Sequence, residues 1–325
     1  MPRVLLADPI DPSGVELLRS RGAEVVLAPE GSPDTIRRLA RDADGVIIRS
    51  KLPDDIFESA PRLRAVTIHG TGTDLVPLAS ANARGVLVAN LPGENAQSVA
   101  EYCVMAMLML ARNIAAIAAA IRTQPWDTAR ALSAPAREIT GLTAGIVGVG
   151  EIGERVARIC RNGFGMRVLG NQRRMDRLPL EAEPAALDEL VAQSDFVVIA
   201  CPLTPETHHL FNAARLGAMK PSAWLINAGR GPVVDEAALI EALRAKRIAG
   251  AMLDVYEHYR IAPGHPLFAL DNVVLTPHLA GSTRESRVRA SVRAADETLR
   301  MLAGEKPRNL VNPEAWNRRR PRESD

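Results

Sequence analysis

Three places in this sequence pair residue types with a spacing that chemistry can use. The first is Gly148-Val149-Gly150-Glu151-Ile152-Gly153, which follows the apolar run 144–147 and opens the amphipathic stretch 152–162. In a strand–turn–helix context, Gly148 permits the tight turn, Gly150 lets the backbone approach a pyrophosphate, and Gly153 allows helix to pack on strand. A phosphate there meets free N–H groups and the positive end of the helix dipole. Glycines used only for turning are the competing reading. The second place is the end of the next strand, where 167–170 runs into Asn171-Gln172-Arg173-Arg174. An acid at that point reads the ribose 2′-hydroxyl of NAD, whereas arginine accommodates the 2′-phosphate of NADP. No acid occurs before Asp176, Gln172 takes its place and two arginines follow, so NADP(H) is expected ahead of NAD. Solvated arginines with relaxed or NAD preference are the alternative. The third place is a pair: Arg230 after the strand 223–227, and His278 after the strand 273–275 and Pro277. Both belong at the carboxyl edge of a sheet, where open α/β folds bind ligands. A guanidinium there holds a carboxylate bidentately, and an imidazole exchanges a proton near neutral pH.

The elements that must position these residues alternate. Short apolar runs at 4–7, 24–27, 45–48, 65–68 and 86–89 read as strands, with helix-like stretches at 13–20, 34–41, 54–60 and 75–83. Continuous Val/Ile/Leu runs suit strands covered on both faces, and strand–helix alternation implies right-handed crossovers in a parallel sheet. Leu91-Pro92-Gly93 breaks the rhythm, 96–121 reads as long helix with an interruption at Arg112-Asn113, and Gln124-Pro125-Trp126 ends it. Strands then resume at 144–147, 167–170, 196–200, 223–227, 250–253 and 273–275, with helices at 152–162 and 236–245 among those between. The fold class is therefore α/β, with two doubly wound parallel-sheet domains. The amphipathic stretch 283–303 is expected to run back and close against the first domain.

Composition narrows the partners. The chain has 325 residues, 47% hydrophobic and 24% charged, enough for two cores, and a formal net charge of only +2. Nucleic acid needs a concentrated basic face, so it is not an expected partner. The one basic run, Arg318-Arg319-Arg320-Pro321-Arg322, is expected to be a frayed, solvated end. Cys103, Cys160 and Cys201 are scattered without metal-like pairing, which suggests free thiols in a reducing compartment and no metal site. The N-terminus reaches Asp8 too early for a signal peptide, and 104–121 falls short of a membrane span. A cytoplasmic protein without membrane contact is expected.

Several further motifs accompany the glycine loop. They are His69-Gly70-Thr71-Gly72-Thr73-Asp74, Asn95-Ala96-Gln97-Ser98-Val99-Ala100-Glu101 and Cys201-Pro202-Leu203-Thr204-Pro205-Glu206-Thr207. Later come Ile226-Asn227-Ala228-Gly229-Arg230-Gly231, Leu253-Asp254-Val255-Tyr256 and Thr276-Pro277-His278-Leu279-Ala280-Gly281. With these, nearly the whole chain resembles the D-isomer-specific 2-hydroxyacid dehydrogenase family. The resemblance implies a Rossmann cofactor domain, 96–283, inserted in a flavodoxin-like substrate domain made of 1–95 and 284–325. It implies hydride transfer between NAD(P)H and a small 2-oxo or D-2-hydroxy acid. Such a reaction needs a cation for the carboxylate, a proton donor for the carbonyl oxygen and a positioned nicotinamide. Arg230 and His278 match the catalytic pair. Gly148, Gly150, Glu151, Ile152, Gly153, Gln172, Arg173 and Arg174 match the cofactor site. So do Cys201, Pro202, Thr207, Ala228, Arg230, Asp254, His278, Ala280 and Gly281, with Asp254 matching the residue that holds the nicotinamide carboxamide. Backbone groups of Thr71 and Gly72, with the side chains of Arg49 and Asn95, match substrate contacts, though Arg49 also fits an exposed strand end. His69 is given no chemistry, and His208, His209, His258 and His265 are expected at loops or helix ends. The family is usually dimeric, and the apolar stretch 99–121 with Trp126 would suit such an interface, a buried helix pair being the alternative.

One position departs from the family. Five residues after the Asp of Leu-Asp-Val it usually places a Glu that hydrogen-bonds the catalytic histidine; here that position is Tyr259, and Glu257 lies two residues before it. A carboxylate beside imidazole favours its charged form. Without it, His278 is expected to work with a lower acid-form pKa, oriented by the Tyr259 hydroxyl. The missing Glu also supports a second reading, a nucleotide-sensing protein on the same fold with little turnover.

Overall fold

A computed structural model describes residues 1–320; Pro321 and Arg322 of the basic run lie outside the described residues. The chain opens with β1 (Arg3–Leu6), α1 (Pro12–Ser20), β2 (Glu24–Leu27), α2 (Pro33–Ala40) and β3 (Gly45–Ile48). It continues through α3 (Ile56–Ser59), β4 (Ala65–Ile68), α4 (Leu78–Ala83) and β5 (Leu87–Ala89). Next come α5 (Ala96–Ala111), α6 (Ile114–Ala120), α7 (Trp126–Ala131), β6 (Thr143–Val147), α8 (Glu151–Phe164), β7 (Arg167–Asn171) and β8 (Glu183–Pro184). Then follow α9 (Leu187–Gln193), β9 (Phe196–Ile199), α10 (Ala213–Gly217), β10 (Trp224–Asn227), α11 (Glu236–Arg244), β11 (Gly250–Leu253), β12 (Val273–Leu275) and α12 (Arg284–Leu302).

Residues 1–95, together with 282 onward, form one compact unit, and 96–281 form another. The first holds five parallel strands in the order β2-β1-β3-β4-β5. Alternate residues of each strand enter different cores: Leu5, Val46, Ile48 and Val66 meet Ile36 and Phe57, while Val4, Leu6 and Ile47 meet Leu18, Ala294 and Ala295. Both faces are thus covered, which is why the strands read as unbroken apolar runs. Asp11 caps α1 by accepting the Ser13 N–H at 3.0 Å, with Pro12 in the first turn, and Thr283 and Ser286 cap α12 reciprocally. The stretch 283–303 is therefore helix, and it packs on the first sheet as expected.

The second unit holds seven parallel strands ordered β12-β11-β10-β9-β6-β7-β8. β6 lies at the switch point, where consecutive strands depart in opposite directions. One face packs Ile146, Val168, Val198 and Met252 under α5 and α8; the other packs Val147, Val197, Leu225 and Leu253 under α11. The two-residue β8 has too little apolar length to be read from sequence. The helix expected over 96–121 divides at Asn113, whose φ is 51°, and α5 and α6 meet at 62°. Asn tolerates this left-handed conformation. Trp126 starts α7 rather than ending a helix, because Pro125 lies just before the first turn. No single helix among the described residues is long and apolar enough to cross a membrane.

The basic run overturns one expectation. Arg320 is not solvated: its guanidinium donates to the carbonyls of Ala60, Pro61, Leu63 and Arg84 at 2.7–3.0 Å. Arg319 lies over the Trp316 ring at 4.5 Å. Carbonyls in the turns after α3 and α4 attract a five-donor guanidinium, and that holds Arg320 in place.

Candidate active site

All expected site residues of the second unit fall at the carboxyl edge of its sheet. Along the strand order the edge carries His278 after β12, Asp254 after β11, Arg230 after β10 and Cys201 after β9. It continues with Gly148 after β6 and Gln172 after β7. Five strand spacings of about 4.8 Å make this a run of roughly 24 Å.

The nucleotide end is built of main chain. Gly148 has φ 94°, and a Cβ there would sit 2.4 Å from the Cys201 amide nitrogen, so only glycine lets the β6 and β9 loops touch. A Cβ on Gly153 would lie 2.5 Å from the Gly148 carbonyl oxygen, which explains the close packing of α8 on β6. Gly150, just before α8, faces open space: a Cβ would meet nothing within 4 Å. It offers no side chain to cap the helix, so the first turn, Glu151-Ile152-Gly153, is free to take a phosphate. These residues fit a dinucleotide. Gln172 turns its amide onto the Arg174 carbonyl at 2.8 Å. Arg173 and Arg174 are exposed, and no salt bridge among the described residues ties down either one. In the loop after β9, Thr207 Oγ donates to the Pro202 carbonyl at 2.7 Å and accepts the Thr204 N–H at 2.7 Å.

The opposite end is built of buried side chains. Asn227 is fully buried; its Oδ1 accepts the Gly229 N–H and its Nδ2 donates to the Arg230 carbonyl, both at 3.1 Å. That clasp fixes the Ala228-Gly229 turn and presents Arg230, which is half-buried and donates to the Gly229 carbonyl at 3.0 Å. A Cβ on Gly231 would lie 1.6 Å from the Tyr256 carbonyl oxygen, so glycine is required for the β10 and β11 loops to meet. Asp254 is 1% exposed. Its carboxylate accepts from Thr276 Oγ1 at 2.6 Å, the Leu279 N–H at 2.8 Å and the Ala280 N–H at 2.8 Å. Thr276 has one proton and gives it to Asp254, so the 2.6 Å contact with Tyr102 is donated by the Tyr102 hydroxyl. Burial raises the Tyr102 phenol and pushes Tyr256 up to about 12, so both stay neutral donors.

This network shapes the turn that carries His278. The His278 N–H donates to the Asp254 carbonyl at 2.9 Å, and its backbone is left-handed with φ 53°. Its ring is exposed and meets Tyr259 edge to face, with centroids 5.7 Å apart and planes at 67°. Tyr259 is 62% exposed, and among the described residues its hydroxyl bonds to nothing. The expectation that the hydroxyl orients His278 is thus corrected: the contact is made by the aromatic ring. Glu257 does not replace the missing acid, because its carboxylate faces His209 Nε2 at 3.3 Å.

The remaining expected positions belong to the other unit, at its own carboxyl edge. Arg49 follows β3, and the Asp8 carboxylate accepts its backbone N–H at 2.7 Å, leaving the guanidinium exposed. Thr71 and Gly72 follow β4, where the Asn90 amide donates to the Thr71 carbonyl at 2.6 Å; Asn95 lies just before α5. The supports Asn227, Tyr102, Thr276 and Asn90 were missed by sequence reasoning. Only Asn227 left a signal, as an Asn two residues before a glycine at a strand end.

Comparison with known proteins fits this geometry. Residues 104–280 match the NAD-binding domain of the D-isomer specific 2-hydroxyacid dehydrogenases. A glyoxylate reductase of Aeropyrum pernix is 37% identical over 98% of both chains. Among solved structures, the TT0316 protein of Thermus thermophilus has a TM-score of 0.86 at 35% identity, covering 95% of this chain and 99% of the other. The NADPH-dependent glyoxylate/hydroxypyruvate reductase of Sinorhizobium meliloti, solved with NADP and malonate, has a TM-score of 0.85 at 30% identity over 99% of both chains. The chain belongs to the D-isomer-specific 2-hydroxyacid dehydrogenase family. It is an NAD(P)-dependent oxidoreductase acting on the CH–OH group of 2-hydroxy acids, and the sensor alternative finds no support.

Proposed function

We propose that this enzyme reduces short 2-oxo acids such as glyoxylate and hydroxypyruvate, with NADPH preferred to NADH. The observation that carries this reading is the order of residues along one sheet edge: Arg230 and His278 at one end, the glycine loop and two exposed arginines at the other. Arg230 holds the substrate carboxylate and polarises the adjacent carbonyl. His278 donates a proton to the carbonyl oxygen in reduction and recovers it in oxidation. Bound nicotinamide supplies the hydride. Asp254 positions the His278 turn through three accepted hydrogen bonds, and a carboxylate has about four acceptor sites, so one is spare for the carboxamide. Gly148, Gly150, Glu151, Ile152 and Gly153 receive the pyrophosphate, and Arg173 and Arg174 receive the 2′-phosphate. Residues 96–283 act as cofactor domain, and 1–95 with 284–325 as substrate domain. Within the latter, Arg49, the backbone of Thr71 and Gly72, and Asn95 contact the substrate.

The ring of Tyr259 packs on His278 from the position where the family places its Glu, and so helps to hold the imidazole in place. Exposed Met105, Leu108, Ile114 and Trp126 form the contact of a homodimer. The three cysteines are free and buried, with thiols pushed up to about 12, 12 and 11 by burial, which suits a reducing cytoplasm. The test is a panel of 2-oxo acids assayed with NADPH and NADH by nicotinamide absorbance. Turnover of the short acids, faster with NADPH, is expected; equal rates with NADH would remove the role given to Arg173 and Arg174.

A further inference from the structure

The second unit gathers another group of chemistry-bearing side chains, none of which the reduction uses. His208 and His209 end the loop that follows β9, and Glu257 lies in the loop that follows β11. One donor atom from each of these three residues lies within 4.8 Å of the others. Glu257 and His209 are half-buried and His208 is exposed, so an ion has access from solvent.

Distance separates two uses of this group. A charge-assisted bond between imidazolium and carboxylate closes to about 2.7–2.9 Å. His209 Nε2 stands 3.4 and 3.3 Å from the two Glu257 oxygens, a long contact shared between both rather than one short bond. The separation instead matches the ligand–ligand edge of about 3.3 Å in a tetrahedron with metal bonds of about 2.0–2.1 Å. The backbone supports the arrangement at some cost. His209 is left-handed with φ 50°, and its N–H is anchored on the Pro232 carbonyl at 2.8 Å. That conformation lays its ring on His208, with centroids 4.0 Å apart and planes at 28°. Glu257 is steadied by its own N–H, which donates to Glu236 Oε2 at 3.1 Å, and Glu236 Oε1 in turn faces His265 Nε2 at 3.1 Å. Outer contacts of this kind orient metal ligands.

We propose that His208, His209 and Glu257 bind a divalent cation of the zinc class, with water completing its coordination. Two imidazoles and one carboxylate suit such an ion and are poor partners for magnesium or calcium, which take oxygen donors. The ion joins the loop after β9, which carries Pro202 and Thr207, to the loop after β11, which carries Tyr259. It thereby steadies Tyr259 against His278. This second effect rests on the proposed role of His278; ion binding itself does not.

The experiment uses the full chain without a histidine tag, stripped by chelator and held at about pH 7.5, where imidazole is neutral. Zinc is titrated calorimetrically, and cobalt is added in parallel to read ligand-field absorption. One equivalent bound at micromolar affinity or tighter is expected, with intense visible cobalt bands and a raised melting temperature. His208→Gln, His209→Asn and Glu257→Gln should each weaken binding at least tenfold; asparagine at 209 keeps the left-handed backbone. No binding by the wild type, or undiminished binding by all three variants, would overturn the site. For the coupling, zinc should shift the acid limb of the turnover pH profile in wild type and not in Glu257→Gln. Stoichiometric binding with an unshifted profile would overturn the coupling alone. Ion binding without turnover on any 2-oxo acid would instead overturn the functional reading and leave the ion site standing.

Discussion

Each sheet carries a histidine at its carboxyl edge, and the surroundings of the two rings differ. His69, after β4, shares a 2.8 Å hydrogen bond through Nε2 with Ser291 Oγ, which itself accepts the Asp11 N–H at 2.9 Å. Ser291 Oγ keeps its proton and a second lone pair for the ring, so either neutral tautomer of His69 can make this bond. Burial, reinforced by the Arg49 cation, pushes its pKa down to about 4. His278, after β12, presents an exposed ring on a turn held by Asp254, in contact with the Tyr259 ring. Both sit where α/β folds put chemistry, yet burial keeps one ring from charging and the other ring lies open to solvent. Edge placement alone does not make a histidine an acid.

The largest effect that tests this contrast is loss of the His278 imidazole. His278→Asn, which keeps the left-handed backbone, should lower kcat about 10²–10⁴-fold while NADPH affinity, read by fluorescence titration, stays nearly unchanged. Comparable loss of kcat in His69→Gln would break the comparison. His69 should instead be visible in stability. Its folded pKa lies below the unfolded value, so the unfolded chain binds more protons between pH 6.5 and about 4. The stabilisation is complete above about pH 6.5 and is lost as pH falls toward 4, by roughly 3 kcal/mol. Urea unfolding at several pH values checks this, and His69→Gln should flatten the slope.

Two glycines sharpen the same point about environment. Gly148→Ala forces a Cβ against the Cys201 amide at 2.4 Å and φ 94°, and should lower the melting temperature by several degrees. Gly150→Ala points into open space, so melting should not change, while dinucleotide affinity falls about tenfold. Equal melting of the two variants would refute the difference drawn between them. The smallest effect concerns Tyr259. In Tyr259→Glu a carboxylate returns beside His278, and the acid limb of reduction should move up by about one pH unit. Coincident profiles for the two proteins would show that position 259 does not act on the histidine.

Most strands and the glycine loop were legible because their signals are local. β2, β3, β4, β11 and β12 fall where the apolar runs placed them, and the positions of Arg230 and His278 follow from strand ends. Other features join residues far apart in the chain, and periodicity carries no trace of them. Tyr102 reaches Thr276, His69 reaches Ser291, and Arg320 reaches Ala60, Pro61 and Leu63. Tyr259 is an intermediate case. Its neighbour followed from the family resemblance, but whether ring or hydroxyl makes the contact depends on side-chain direction, which sequence does not encode locally.

The left-handed turn at His278 also governs which heritable changes this enzyme can survive. At φ 53° only a few side chains are comfortable. Asparagine, aspartate or glycine would keep the turn and its ties to Asp254 while removing the proton carrier. Valine, isoleucine or threonine would cost both the turn and the proton. Drift at this one position therefore splits into two fates. The more accessible is a descendant that still folds and still takes up dinucleotide but has stopped turning over.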